Sequence, residues 1–86
     1  MLNEELYEQL ELEFEKNRIE DAVEDILLEM AEALADQGVV GKELTYRDQA
    51  GLAKLSVVGV CEDDESVFIK TLTINGKEYE IEDYLL

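Results

Sequence analysis

Val67-Phe68-Ile69-Lys70-Thr71-Leu72-Thr73-Ile74-Asn75-Gly76-Lys77-Glu78-Tyr79-Glu80-Ile81 holds two alternating apolar and polar runs on either side of an Asn-Gly pair. A type I′ turn needs positive φ at both central residues, which Asn and Gly adopt at least cost, so the pair reads as a two-residue hairpin. The turn sets a register in which Ile74 faces Lys77, Leu72 faces Tyr79 and Lys70 faces Ile81. Side chains alternate across a strand, which predicts Phe68, Leu72, Ile74, Tyr79 and Ile81 on one face, against a core. Ile69, Thr71, Thr73, Glu78, Glu80 and Glu82 then take the other face, toward solvent or a partner. Upstream, Leu55 to Cys61 is valine-rich and reads as a further strand, leading into a turn at Glu62-Asp63-Asp64-Glu65. The C-terminal part is thus expected to be a three-stranded antiparallel meander.

The other end of the chain has a different period. Residues 1–36 contain no Gly or Pro and are rich in Glu, Leu and Ala, which favours helix. Leu2, Leu6, Leu10 and Phe14 recur every four residues. Ile19, Ala22, Val23, Ile26, Leu27, Met30, Ala31 and Leu34 form a second stripe with i, i+3, i+4, i+7 spacing. At about 100° per residue the two stripes are out of phase, so one straight helix cannot bury both. Two helices, or one kinked helix, are expected, with the break near Glu15-Lys16-Asn17-Arg18. Asn3 is placed to start the first helix, Asn17 with Glu20 to cap the second, and Gly38 to stop it.

Between the halves, Glu43-Leu44-Thr45-Tyr46-Arg47 reads as a short strand, while Thr45 with Asp48 reads equally as the cap of a short helix. The expected fold class is α+β, with two N-terminal helices (or one kinked helix) packed on a three-stranded antiparallel β-meander. A single domain over 1–86 divides into a helical half 1–38, a connecting segment 39–54 and a meander 55–82. No second core fits into 86 residues. Oligomerisation, with a homodimer as one form, or partner binding is expected to add stability to so small a core.

Several function classes drop out on composition. No apolar run approaches the roughly 20 residues of a membrane span, and Met1-Leu2-Asn3-Glu4-Glu5 has neither the basic nor the apolar region of a secretory signal. Cys61 is the one cysteine, so neither an internal disulfide nor a cysteine zinc cluster is expected; it reads as a core or strand-end residue in a cytoplasmic setting. There is no histidine, which removes the commonest general base and metal ligand. Neither the P-loop pattern nor the dinucleotide-binding glycine pattern occurs. No catalytic residue, metal site or cofactor is expected, and the chain reads as a binding protein rather than an enzyme.

Charge is the distinguishing property. Seven basic residues stand against 23 acidic ones, a net of −16, where a small domain ordinarily carries a magnitude of about 2–8. Direct binding to nucleic acid or to an anionic membrane requires the opposite sign. Residues 1–36 hold 13 acidic and 2 basic side chains, net −11. Glu4, Glu8, Glu11 and Glu15 line one face of the first helix; Asp21, Asp25, Glu29, Glu32 and Asp36 line one face of the second. Like charges at these spacings destabilise a helix by about 0.2–0.5 kcal/mol per pair. These rows, with the acidic turn Glu62, Asp63, Asp64 and Glu65, are the candidate partner-binding residues. Tyr7, Tyr46, Tyr84 and Leu85 are candidate anchors, since binding energy concentrates in a few large side chains.

In size and charge the whole chain is similar to phage-encoded DNA mimics such as anti-CRISPR and anti-restriction proteins. The resemblance implies an inhibitor that occupies the basic nucleic-acid-binding surface of a target enzyme or effector complex, acting in the host cytoplasm if phage-encoded. The same physics serves an immunity- or antitoxin-like neutraliser of a basic toxin. A third reading is a structural or adaptor module whose charge serves only solubility.

Overall fold

The computed structural model describes residues 3–63 and 66–84. Two helices, α1 (Glu4–Lys16) and α2 (Val23–Asp36), precede four strands, β1 (Glu43–Ala50), β2 (Ala53–Cys61), β3 (Val67–Ile74) and β4 (Lys77–Tyr84). The strands form one antiparallel sheet in the order β1-β2-β3-β4. Both helices lie on one side of it. α2 packs across β1, β2 and β3, while α1 packs chiefly on α2.

The chain breaks into two helices as the out-of-phase stripes require, but the capping differs from expectation. Asn3 does cap α1, its Oδ1 accepting the Leu6 N–H at 3.1 Å. Asn17, expected to open the second helix, instead closes the first: its Nδ2 donates to the Glu13 carbonyl at 2.7 Å. α2 begins at Val23 behind Ala22, which offers no side-chain cap. Arg18 takes φ 57 and the Ile19 N–H returns to the Phe14 carbonyl, so residues 17–22 double back along α1. α2 ends at Asp36, followed by Gly38 at φ 71 as expected.

The sheet has four strands rather than three. The added strand, β1, lies inside the segment expected to be a connection. Leu44, Tyr46 and Ala50 pack toward the core, but Asp48 interrupts that alternation and hides the period. β1 and β2 join through Gly51-Leu52, with Ala50 opposite Ala53. The Leu52 N–H donates to the Asn17 carbonyl at 2.7 Å, which seats this hairpin tip on the interhelix linker.

The Asn75-Gly76 turn forms as read, with φ 50 and 88 and with Ile74 opposite Lys77 and Leu72 opposite Tyr79. Asn75 also ties the turn down. Its Oδ1 accepts the Lys54 N–H and its Nδ2 donates to Asn17 Oδ1, each at 2.9 Å. Farther along, the simple alternation fails. Relative to β2, β3 carries Lys70 as an extra residue; relative to β3, β4 carries one extra residue at Ile81-Glu82, where Glu82 has φ 49. Lys70 therefore does not pair one-to-one with Ile81. These β-bulges reverse the side-chain parity beyond them. Ile69, expected outside, is fully buried, and Phe68, expected inside, lies half-buried on the outer face.

The core joins Leu10 and Phe14 of α1 to Val23, Ile26, Leu27, Met30 and Leu34 of α2, above Leu55, Val57, Ile69, Leu72 and Ile74 of the sheet. Cys61 is buried at the end of β2, where desolvation raises its thiol pKa. No charged side chain is buried among the described residues. The acidic excess therefore lies on the surface, and the helical layer supplies much of that surface.

Candidate functional site

α1 presents Glu4, Glu8, Glu11 and Glu15 to solvent, and α2 presents Asp25, Glu29, Glu32 and Asp36. These positions follow from helical geometry: Leu10 and Phe14, or Ile26, Met30 and Leu34, fix which side is buried, and residues three and four apart stack on the remaining side. Asp21 is also exposed, but in the linker rather than on α2. None of these nine carboxylates forms an ion pair with a described residue. The helical cation Lys16 lies 3.9 Å from Glu13, outside the rows, and Lys70 of the sheet pairs with Glu43 at 3.0 Å.

The doubled-back linker brings the rows together at one place. Glu11 and Glu15 of α1 face Glu20 and Asp21 of the linker across an open groove of about 320 Å³. Tyr7 lies in its wall, over an apolar floor that includes Phe14, Ile19 and Val23. The Tyr7 phenol pKa is raised above its ordinary value, first by desolvation and then by the negative charges of Glu11, Glu24 and Asp25. The start of α2 therefore also bears on the groove. Three carboxylates, Glu11, Glu24 and Asp25, act on the half-buried Tyr7 ring, and Glu15, Glu20 and Asp21 line the same groove. No protein-family model, curated protein or solved structure matches the chain.

A half-buried tyrosine flanked by carboxylates suits a cation. An Arg or Lys side chain laid across the ring gains cation–π attraction while its charge meets the surrounding acids. Tyr7 is the one expected anchor that lies in this groove. Tyr46 packs half-buried against the core from β1. The Tyr84 side chain and Leu85 lie outside the described residues.

The remaining candidates are dispersed. Asp21 and Glu29 border a second depression on the far side of the linker with Glu20, Arg18 and Asp48. Glu4 and Glu8 lie toward the start of α1, and Glu32 and Asp36 toward the end of α2, outside both depressions. Glu62 and Asp63 are exposed on the β2–β3 loop. There Asp63 Oδ1 accepts the Ser66 N–H at 2.8 Å and the Glu62 N–H donates to the Ser66 carbonyl at 2.9 Å, so Asp63 shapes its own turn. Asp64 and Glu65 lie outside the described residues. Glu20 and Glu24 were not among the candidates, because reading two helices with one row each gives no cue that the linker folds back onto α1.

Proposed function

We propose that this protein is an acidic inhibitor whose helical layer occupies a basic nucleic-acid-binding surface on a target enzyme or effector complex. The observation that carries the reading is the groove at Tyr7, where carboxylates from α1, the linker and the start of α2 come together and none forms an ion pair with another described residue. The two helices carry a net of −10 over their 13 and 14 residues, about 40 Å of helix or one charge per roughly 4 Å, against about one per 1.7 Å of duplex DNA. The fold-back supports the reading because it concentrates charge where a straight helix would not. Such a surface is steered to a positive channel from a distance, and the Tyr7 groove gives an incoming Arg or Lys a defined seat. The reading assigns no chemistry to the chain.

The test is competition. A target captured from the cells that make the protein, or from cells infected by a phage that encodes it, is expected to be released by duplex DNA or structured RNA. It is also expected to bind E8K/E11K/E15K far more weakly than the natural chain. A target retained in the presence of excess nucleic acid, or held equally by the reversed variant, contradicts the proposal. A captured toxin with no nucleic-acid substrate would instead favour neutralisation of a basic toxin.

A further inference from the structure

The helices cover one face of the sheet, and among the described residues no element covers the other. Cross-strand pairing arranges that outer face in rows. One reads Arg47-Ser56-Thr73-Glu78, the next Thr45-Val58-Thr71-Glu80, and the third begins Glu43-Val60-Phe68. Val58, Val60, Thr71 and Thr73 are only half-buried. The charges here nearly balance: Arg47, Lys54 and Lys70 stand against Glu43, Glu78, Glu80 and the exposed bulge residue Glu82. In a chain of net charge −16, this is a face that a second copy can approach without strong short-range repulsion.

The balance also has a direction. Arg47 lies on β1, at one edge of its row, and Glu78 lies on β4, at the other edge. Consider two such faces packed with strands aligned, related by a two-fold axis that runs along the strand direction between β2 and β3. The rotation sets β1 over β4 and keeps each row over its own counterpart. Arg47 of one copy then meets Glu78 of the other, twice per dimer, while Val58 and Thr71 of the two copies meet at the centre. Aligned packing of this kind is an ordinary way for sheets to stack, and an isologous interface requires this self-complementarity.

We infer that the protein forms a homodimer through the outer face of its sheet, with its acidic helical layers facing outward on opposite sides. Four strands about 4.8 Å apart and about 26 Å long offer roughly 500 Å² per copy. Stable interfaces use about 800 Å² per partner, so the association belongs in the micromolar range. Its salt response is opposite to that of the acidic surface. Long-range repulsion between copies weakens as the Debye length falls from about 30 Å at 0.01 M salt to about 8 Å at 0.15 M, so added salt strengthens the dimer.

Sedimentation equilibrium of the full chain from about 1 μM to about 1 mM tests this. The expected result is a monomer–dimer equilibrium that shifts toward dimer when salt is raised. Val58→Glu abolishes the dimer. Arg47→Glu and Glu78→Arg each weaken it by about tenfold, and R47E/E78R restores it, because every reversed charge then meets its opposite. These three positions lie on the exposed or half-exposed outer face, and circular dichroism checks that each variant is folded. In 0.15 M salt, where repulsion between copies is screened beyond about 8 Å, E8K/E11K/E15K, on the opposite side of the sheet, leaves the equilibrium nearly unchanged, which separates this inference from the inhibitor reading. A monomer at every concentration in 0.15 M salt, a dimer that survives Val58→Glu, or a failure of the double swap to restore association overturns it.

Discussion

Gly59 and Gly51 are the residues whose side chains the fold can least accommodate, for different reasons. A Cβ on Gly59 would stand 2.7 Å from the Phe68 carbonyl oxygen and 2.9 Å from a Leu34 methyl carbon. The methyl can move; the ladder carbonyl cannot. Gly59→Ala is expected to cost about 1–3 kcal/mol. Gly51 adds a backbone term, since its φ is +55 and its Cβ would press on the Asn17 and Arg18 carbonyls. Gly51→Ala is expected to cost at least as much, because an alanine there also bears the left-handed penalty of roughly 1–2 kcal/mol. Urea unfolding of the two variants measures both; wild-type midpoints would contradict the packing described for β2 and for the β1–β2 tip. Neither cost was legible in the sequence, because each depends on an approach to atoms distant along the chain, Asn17 and Arg18 for Gly51 and Phe68 and Leu34 for Gly59.

Tyr7 gives a second residue-scale expectation. Its folded-state pKa lies above the unfolded value near 10, so the unfolded chain loses the phenolic proton first. Stability tied to the neutral phenol is complete below about pH 10 and is lost as pH rises through the folded-state pKa. Tyr7→Phe removes this titration. Its melting temperature is expected to fall less steeply than that of the natural chain as pH rises above about 10. Parallel curves would contradict both the desolvation of Tyr7 and its nearness to Glu11, Glu24 and Asp25.

At the scale of elements, the carboxylate rows work against the helices that carry them. Glu11 lies three residues from Glu8 and four from Glu15. Glu11→Lys turns two repulsive spacings into two attractive ones, with an expected gain of about 1 kcal/mol in stability, while binding to a basic partner falls. Thermal melting and titration against the captured target read the two effects separately. A variant that loses both, or gains both, contradicts a row kept for binding at the expense of helix stability.

Helices, hairpin and outer charge were legible because each follows from a period the chain repeats: four and seven residues in the first third, two in the last. What escaped was where the period is interrupted. Asp48 concealed β1. Lys70 and Glu82 moved Phe68 and Ile69 to the opposite faces, and a bulge leaves no local signature in a run such as Val67-Phe68-Ile69-Lys70-Thr71-Leu72. The candidate site was half legible. Both rows could be read from spacing, but their meeting at Tyr7 depends on Arg18 entering positive φ and on Asn17 closing α1 instead of opening α2, and these are tertiary choices.

For the whole molecule, the sheet divides two kinds of surface. One side bears the helical layer with net −11 across residues 1–36; the other bears a nearly balanced, partly apolar face. Salt should act on them with opposite sign, weakening contacts made by the first and strengthening self-association through the second. A solubilising charge with no binding role would be expected to tolerate dispersal over the surface, whereas the fold-back at residues 17–22 gathers it. The central claim is that this gathered charge competes with nucleic acid for a basic surface. The most direct measurement is a fluorescence-anisotropy competition, in which the natural chain and E8K/E11K/E15K each displace a labelled duplex or structured RNA from the captured target. The expected result is full displacement by the natural chain, weakening steeply as salt rises toward 0.15 M, and little displacement by the reversed variant. Nucleic acid and protein bound to the target together, or equal displacement by both chains, would contradict it.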